Sequence, residues 1–349
     1  MVTSFYDFNG ATANGSGIVA LANKDLTWEK TSEYNAGLEL NVLKNRIGFT
    51  FDYYNKTAKG TLLPQQIPAA NGFTTVVANI GSIRNSGIEV GLNTTNIKSG
   101  KFSWITNINY SHNKNQILDL FGNGANDVGN ARFIGQKARV IYNYKVIGVW
   151  QTSEATQAAT YGQKPGQYKI QDVNNDGKIN ADDRQILGSD IPDWFGGITN
   201  TFNYKQFDLG FTVYTRQGTV QQSTFLDQYL NGDQGRARFG AYQRSYWTAT
   251  NPSNTWANNA LETDPTRRTA ATYQNSSYTK ISNITLGFTL PKAAASKIKL
   301  NNLRLYATAY NPFVFTKFIG WDPETADLNS FGLQDFRTRT FIIGLNVTL

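Results

Sequence analysis

Along most of this chain hydrophobic and polar residues alternate one for one. In "TSEYNAGLELNVL", Tyr34, Ala36, Leu38, Leu40 and Val42 alternate with Glu33, Asn35, Gly37, Glu39 and Asn41. After a short "KNR" turn, Ile47, Phe49, Phe51 and Tyr53 alternate with Gly48, Thr50, Asp52 and Tyr54. Side chains two apart share one face of a strand, so each segment has an oily side and a wet side. "SGIEVGLNTTNI" and "KFSWITNINYSHN" repeat the arrangement around a "KSG" turn, and "FGGITNTFNY" and "FDLGFTVYTR" around Lys205 and Gln206. "YTKISNITLGFTL", "LNNLRLYATAYN" and "TRTFIIGLNVTL" complete about nine predicted strands.

Two features set this pattern apart from a soluble sheet. Many segments run to ten residues or more, above the strand mode of about 5–6. The connections also alternate in length: brief after Leu43, Ile97 and Tyr204, long after Lys59, Asn115, Gly218 and Asn311. Short turns at one end and long loops at the other describe an outer-membrane β-barrel, whose strands cross lipid with about 9–11 tilted residues. The expected fold is therefore all-β, with about 9–11 antiparallel strands. Its wet face would line a lumen in which Glu39, Asp52, Glu89 and Asp208 stay hydrated. With the short turns periplasmic, the C-terminus is periplasmic too and the loops are extracellular. Residues 116–194 then begin and end outside, so they hold either no spanning strand or an even number, and "ARVIYNYKVIGVW" is a candidate member of such a pair. The alternative is a secreted, half-solvated β-sandwich.

Composition narrows the classes. Aromatics make up 13% of the 349 residues and Gly contributes 31, which favours strands and turns over helices. Lys plus Arg number 33 against 25 Asp plus Glu, but the cations are scattered singly, so a nucleic-acid partner is not expected. No apolar run approaches the roughly 20 residues of a transmembrane helix. The chain has no cysteine, which rules out disulfides and thiolate metal sites. The opening "MVTSFYDFNG" lacks the marks of a signal peptide, so the expectation is either a cytosolic protein or a start inside a longer precursor.

One stretch breaks the alternation with specific chemistry. "DVNNDGKINADD" places oxygen donors where a calcium loop needs them: Asp172, Asn174, Asp176, the carbonyl of Lys178, Asn180 and Asp183. Gly177 stands at the sharp bend and Ile179 at the apolar anchor. Asp183 replaces the longer closing Glu, so affinity should be modest, about 10⁻⁴–10⁻³ M, and the ion structural. The competing reading is an Asx-rich surface turn that binds nothing.

Catalysis finds little footing. The single histidine, His112, ends a strand with no orienting partner in view. Asp322 and Glu324 in "GWDPET" are the one tempting carboxylate pair, yet Pro323 between them reads as a turn. "FGNGAN" and "GATANGSG" read as flexible loops, and no phosphate-binding or dinucleotide glycine pattern occurs. Trp150, Trp194, Trp247 and Trp321 are candidate sugar platforms, for which interface anchoring and plain packing are equal alternatives. No enzyme is expected.

Several segments taken together carry a family resemblance. "LTWEKTSEYNAGLEL", "DYYNKTAKGTLL", "IGSIRNSGIEVGL", "FSWITNINYSHNKNQIL", "YKVIGVW", "PGQYKIQDVNNDGKINADDRQILGSDIPDWFGGITNTFNYKQFDLGF", "SYTKISNITLGFTLP", "LRLYATAYNPFVFTKFIGWDPE" and "RTRTFIIGLNVTL" occur in this order. The chain resembles the C-terminal half of the SusC/RagA-type TonB-dependent transporters of Bacteroidetes. The resemblance implies part of a 22-stranded barrel, a SusD-like lipoprotein lid, TonB as the energy supply, and oligosaccharide or peptide cargo. The plug and the first half of the barrel have no counterpart here, so both become expected partners along with outer-membrane lipid. Two local departures are Leu349, where the family usually ends in an aromatic, and "SYTKISNITL", where an arginine and leucine are common. The second reading is a secreted, calcium-stabilised carbohydrate-binding β-protein.

Overall fold

The computed structural model describes residues 2–8, 11–17, 20–68, 70, 72–231, 244–320, 322–324 and 338–348. All nine predicted strands form, and they join one sheet. They are β1 (Lys30–Val42), β2 (Ile47–Gln66), β3 (Thr75–Ser99), β4 (Phe102–Asp119), β5 (Trp194–Tyr204), β6 (Phe207–Gln217), β7 (Tyr278–Thr289), β8 (Asn302–Thr316) and β9 (Thr340–Thr348). Their order across the sheet is their order along the chain, with β1 and β9 at the two edges. The ladders from β4 to β9 are all antiparallel. This is an up-and-down meander.

Register aligns the rows that the alternation defines. On one face Phe102 pairs with Tyr204, Tyr204 with Phe207, and Phe207 with Phe288. One step further from the turns, Trp104, Phe202, Leu209 and Leu286 form a second oily row. The other face aligns Asn107, Thr199, Thr212 and Asn283. Tight turns hold the register: Asn45 and Lys205 take φ of 63° and 53°, and Gly100 takes 55° without a Cβ penalty. Pro312 is accommodated because the β7–β8 register shifts between Ile281 and Asn283, where the ladder needs no donor from it.

The oily face is uncovered. Ile343 is 88% exposed and Leu286 53%. A sandwich would press this face against a second sheet, and among the described residues none does so.

The chain divides into two compact units: Met1–Ala36, Tyr53–Gly87 and Lys114–Ala138 in one, and Gly37–Asp52, Ile88–Asn113 and Arg139–Leu349 in the other. In the first, Asn79 is the pin. Its amide accepts from Thr27 N at 2.8 Å and donates to Thr27 O at 2.8 Å and Gly60 O at 2.7 Å. The second contains a part of every strand of the sheet.

Two expectations need correction. The linker read as starting after Lys59 starts later, because β2 continues to Gln66 and β3 starts at Thr75. The segment assigned to residues 116–194 begins later, since β4 runs to Asp119. Within it no strand joins the sheet. Ile141–Asn143 pairs with Gln185–Gly188, and Val146–Val149 with Tyr168–Ile170. Val220–Gln222 and Tyr273–Asn275 form a third ribbon in the next long connection. The second ribbon contributes to two small cores, Val149, Tyr168, Trp247 and Ala257 in one, and Tyr144, Ile170 and Ala270 in the other.

Candidate functional site: the wet wall and the long connections

The wet face is built for water. Thr199 and Thr212 share a hydroxyl hydrogen bond at 3.0 Å, as do Thr285 and Thr308 at 2.9 Å. Asp208 and Arg304, on strands separated by β7, form a two-point ion pair across that strand. They can meet because Gly287 lies between them, and a Cβ there would strike both side chains. Tyr306 likewise lies over Gly344. Asp52 and Glu89, predicted for the lumen, line a cavity of about 270 Å³ with Thr50, Asn109, Ser111 and Phe195. A larger cavity of about 500 Å³ lies among the long connections, with Tyr144, Tyr273, Gln185, Gln274 and Asn254 in its wall. Amide side chains beside aromatic rings, with Lys145 as a charged member of the wall, suit a polar ligand with apolar faces.

What fixes these connections is one carboxylate. Glu262 is 1% exposed. It accepts from Tyr168 N at 2.8 Å, Asp264 N at 3.1 Å, and Arg267 at 2.9 Å and 3.1 Å. Sequence reasoning missed it. The neighbouring signal was legible, because "DPT" is a helix start: Asp264 accepts from Thr266 N at 2.8 Å and Pro265 opens the helix. Burial pushes the hydroxyl of adjacent Tyr168 up to about 12.

The loop from Asp172 to Asp183 is bent and closed. Asn175 and Gly177 take φ of 59° and 77°. Asp172 accepts from Asn175 N at 2.7 Å, Gly177 N at 3.0 Å and the Tyr161 hydroxyl at 3.2 Å. Asn174 accepts from Asp176 N at 3.1 Å, and Asp176 from Lys178 N at 2.9 Å. Asn180 accepts from Asp182 N at 2.8 Å. Fully buried Asp183 accepts from Val173 N and Asn180 N, both at 2.8 Å, and so ties the two ends. Desolvation alone would raise the Asp172 carboxyl, but the N–H donors of Gly177 and Asn175 outweigh it and hold the group below its usual range. Burial raises the Tyr161 hydroxyl, its hydrogen bond to Asp172 adds to that, and the charges of Asp172, Asp183 and Asp176 act in the same direction. Among the described residues, no three acidic or histidine side chains converge as a metal-binding group. The donors are hard oxygens of the kind calcium takes. Holding the ion requires Asp172, Asp176 and Asp183 to turn from backbone N–H groups toward a common centre.

Of the tryptophans proposed as sugar platforms, Trp150 and Trp247 are packing residues. Trp150 is 2% exposed and donates to Gln163, and Trp247 is 6% exposed and donates to Gln151 at 3.0 Å. Trp194 sits on the oily face, 5.6 Å from Tyr110. Trp321 lies outside the described residues. His112 meets the backbone carbonyl of Asp193 at 2.6 Å. Asp322 accepts from Glu324 N at 2.8 Å, while Glu324 pairs with Lys280 of the wall.

An up-and-down sheet with an uncovered oily face, a wet face opposite and long connections at one end defines a section of an outer-membrane β-barrel wall. Comparison with known proteins agrees. No family model matches the sequence. TonB-dependent receptor P26 of Formosa agariphila is 30% identical over 366 residues, covering 97% of this chain and 36% of the receptor. TonB-dependent receptor SusC of Bacteroides thetaiotaomicron is 28% identical over 338 residues, covering 93% of this chain and 32% of SusC. Among solved structures, the RagAB peptide importer in an "open-open" state superposes with a TM-score of 0.78 at 20% identity, over 100% of this chain and 38% of the importer chain. The chain thus spans about a third of the length of the curated relatives it matches. Over nearly its whole length it is similar to TonB-dependent receptors of the SusC and RagA type, as a section of their barrel. The named relatives are receptors and transporters.

Proposed function

We propose that this chain is the C-terminal part of the barrel of an outer-membrane nutrient importer. It supplies pore wall and extracellular loops, and its C-terminus is periplasmic. The observation that carries the reading is the continuous wet face of β1 to β9 behind an uncovered oily face, in a chain whose relatives are TonB-dependent receptors. The remaining strands and a plug complete the importer, TonB drives it, and a SusD-like lipoprotein covers its outer mouth. Cargo is an oligosaccharide or a peptide. The cavity of about 500 Å³ among the long connections, lined by amide side chains and aromatic rings with Lys145 beside them, favours the saccharide. The loop from Asp172 to Asp183 takes calcium through those two carboxylates, Asp176, Asn174, Asn180 and the carbonyl of Lys178. Calcium stiffens the loop there and has no part in chemistry.

The test uses the intact gene. Deleting it should abolish growth on one class of glycan or peptide while leaving growth on monosaccharides unchanged, and the protein should pellet with outer membranes and require detergent. A water-soluble monomer would overturn the importer reading. Calcium should protect the loop from protease at millimolar concentration in the wild type and not in a protein carrying Asp172→Ala and Asp176→Ala. Equal protection of both would remove the calcium site.

A further inference from the structure

Four short turns join β1–β2, β3–β4, β5–β6 and β7–β8, and in a meander all four lie at one end. That end is basic without exception. The first turn carries Lys44 and Arg46, and the second Lys98 and Lys101. Lys205 is in the third, and Lys292, Lys297 and Lys299 are in the fourth. Residues 43–46, 98–101, 205–206 and 290–301 contain no Asp or Glu. The cations of the whole chain exceed its anions by eight, so this end accounts for the entire excess and the remainder balances. All eight side chains are exposed, and among the described residues none is in an ion pair.

Directly behind these turns lies the aromatic row of the oily face. Phe102 and Tyr204 are 6.5 Å apart, and Phe207 and Phe288 are 5.0 Å apart. Aromatic rows mark the boundary between acyl chains and water. The Lys205 ammonium stands 5.3 Å from the Tyr204 ring. Lysine stems can run along such rings while their ammonium groups reach outward, which puts the charges at headgroup depth.

We propose that the short-turn end is a binding surface for anionic phospholipid headgroups, whose phosphates the eight cations engage. The occupant follows from charge complementarity and from continuity with the aromatic row, and the inference rests on the membrane-barrel reading. Exposed ammonium groups attract an anionic lipid surface over about 8–10 Å, an attraction that salt screens.

The experiment reconstitutes the intact receptor into nanodiscs of phosphatidylcholine with a minority of phosphatidylglycerol. Native mass spectrometry then counts the lipids that stay bound. The expected result is several-fold enrichment of phosphatidylglycerol at low salt. Enrichment should fall toward unity in 0.5 M salt and in a variant with Lys98→Gln, Lys101→Gln, Lys205→Gln and Lys297→Gln, and return when the same four are arginine. Enrichment absent from the wild type, or unchanged in the glutamine variant, overturns the proposal and points the basic end toward an acidic protein. Failure to insert into bilayers at all would instead overturn the barrel reading, so the two outcomes separate.

Discussion

Glu262 shows how one side chain can organise a region that alternation leaves undefined. It joins Tyr168 to Arg267 and Asp264 in an almost fully dry setting. Removing one partner of a buried pair strands the other. Glu262→Ala should therefore destabilise the long connections by about 3 kcal/mol, read as faster hydrogen exchange at Tyr168 and its neighbours with the wall unchanged. Nothing in "LETDPTRR" distinguishes a buried Glu from a solvated one, which is why the sequence shows the helix start and hides the pin. Trp150 and Trp247 are legible as large apolar groups for the same reason and illegible as packing residues. Glu154 makes a pH prediction. Its hydrogen bond from Lys169, at 2.8 Å, holds its carboxyl below the ordinary 4.5. The stabilisation is complete above that ordinary value and is lost as pH falls through the lower folded one. Protease sensitivity near residues 141–170 should rise as pH drops from 5 toward 3, and Glu154→Gln should flatten that rise.

At the scale of the strand, the period of two fixes which side each residue takes, and the observed register follows it from β4 to β9. Strand ends were harder to read. Polar stretches such as "KGTLLPQQ" continue the ladder, and hydrophobic periodicity stops reporting there because neither face demands apolar groups. The bulge that accommodates Pro312 is equally silent in the sequence, since it depends on a shift against β7. The wet-face glycines are the element's own device. Gly344 leaves room for the Tyr306 ring, and a larger residue would drive it off the wall. Gly344→Leu should cost about 1–3 kcal/mol through overpacking, measured by denaturant unfolding in detergent, with Gly344→Ala intermediate.

For the whole molecule the decisive property is that the two faces differ along every strand. Because the chain lacks cysteine, single substitutions can report this face by face. In the intact receptor, cysteines at Thr285 and Thr308 should react with a membrane-impermeant, water-soluble thiol reagent. Cysteines at Leu286 and Ile343 should react only with a lipid-soluble one. Equal labelling by the water-soluble reagent at all four would contradict a lipid-facing row. The loop from Asp172 to Asp183 marks the limit of reading at this scale: spacing gathers the oxygen-bearing side chains into one turn, while the direction each carboxylate takes is set by N–H groups that spacing does not encode.

Strictly sequential pairing has a further consequence. A unit such as β5–β6 touches only its two flanking neighbours within the sheet. Copying or excising one hairpin would leave every other ladder intact, provided the new flanking strands match in inclination. Walls of this design can change circumference in steps of two, so pore width is open to evolution by duplication without redesign of any existing contact.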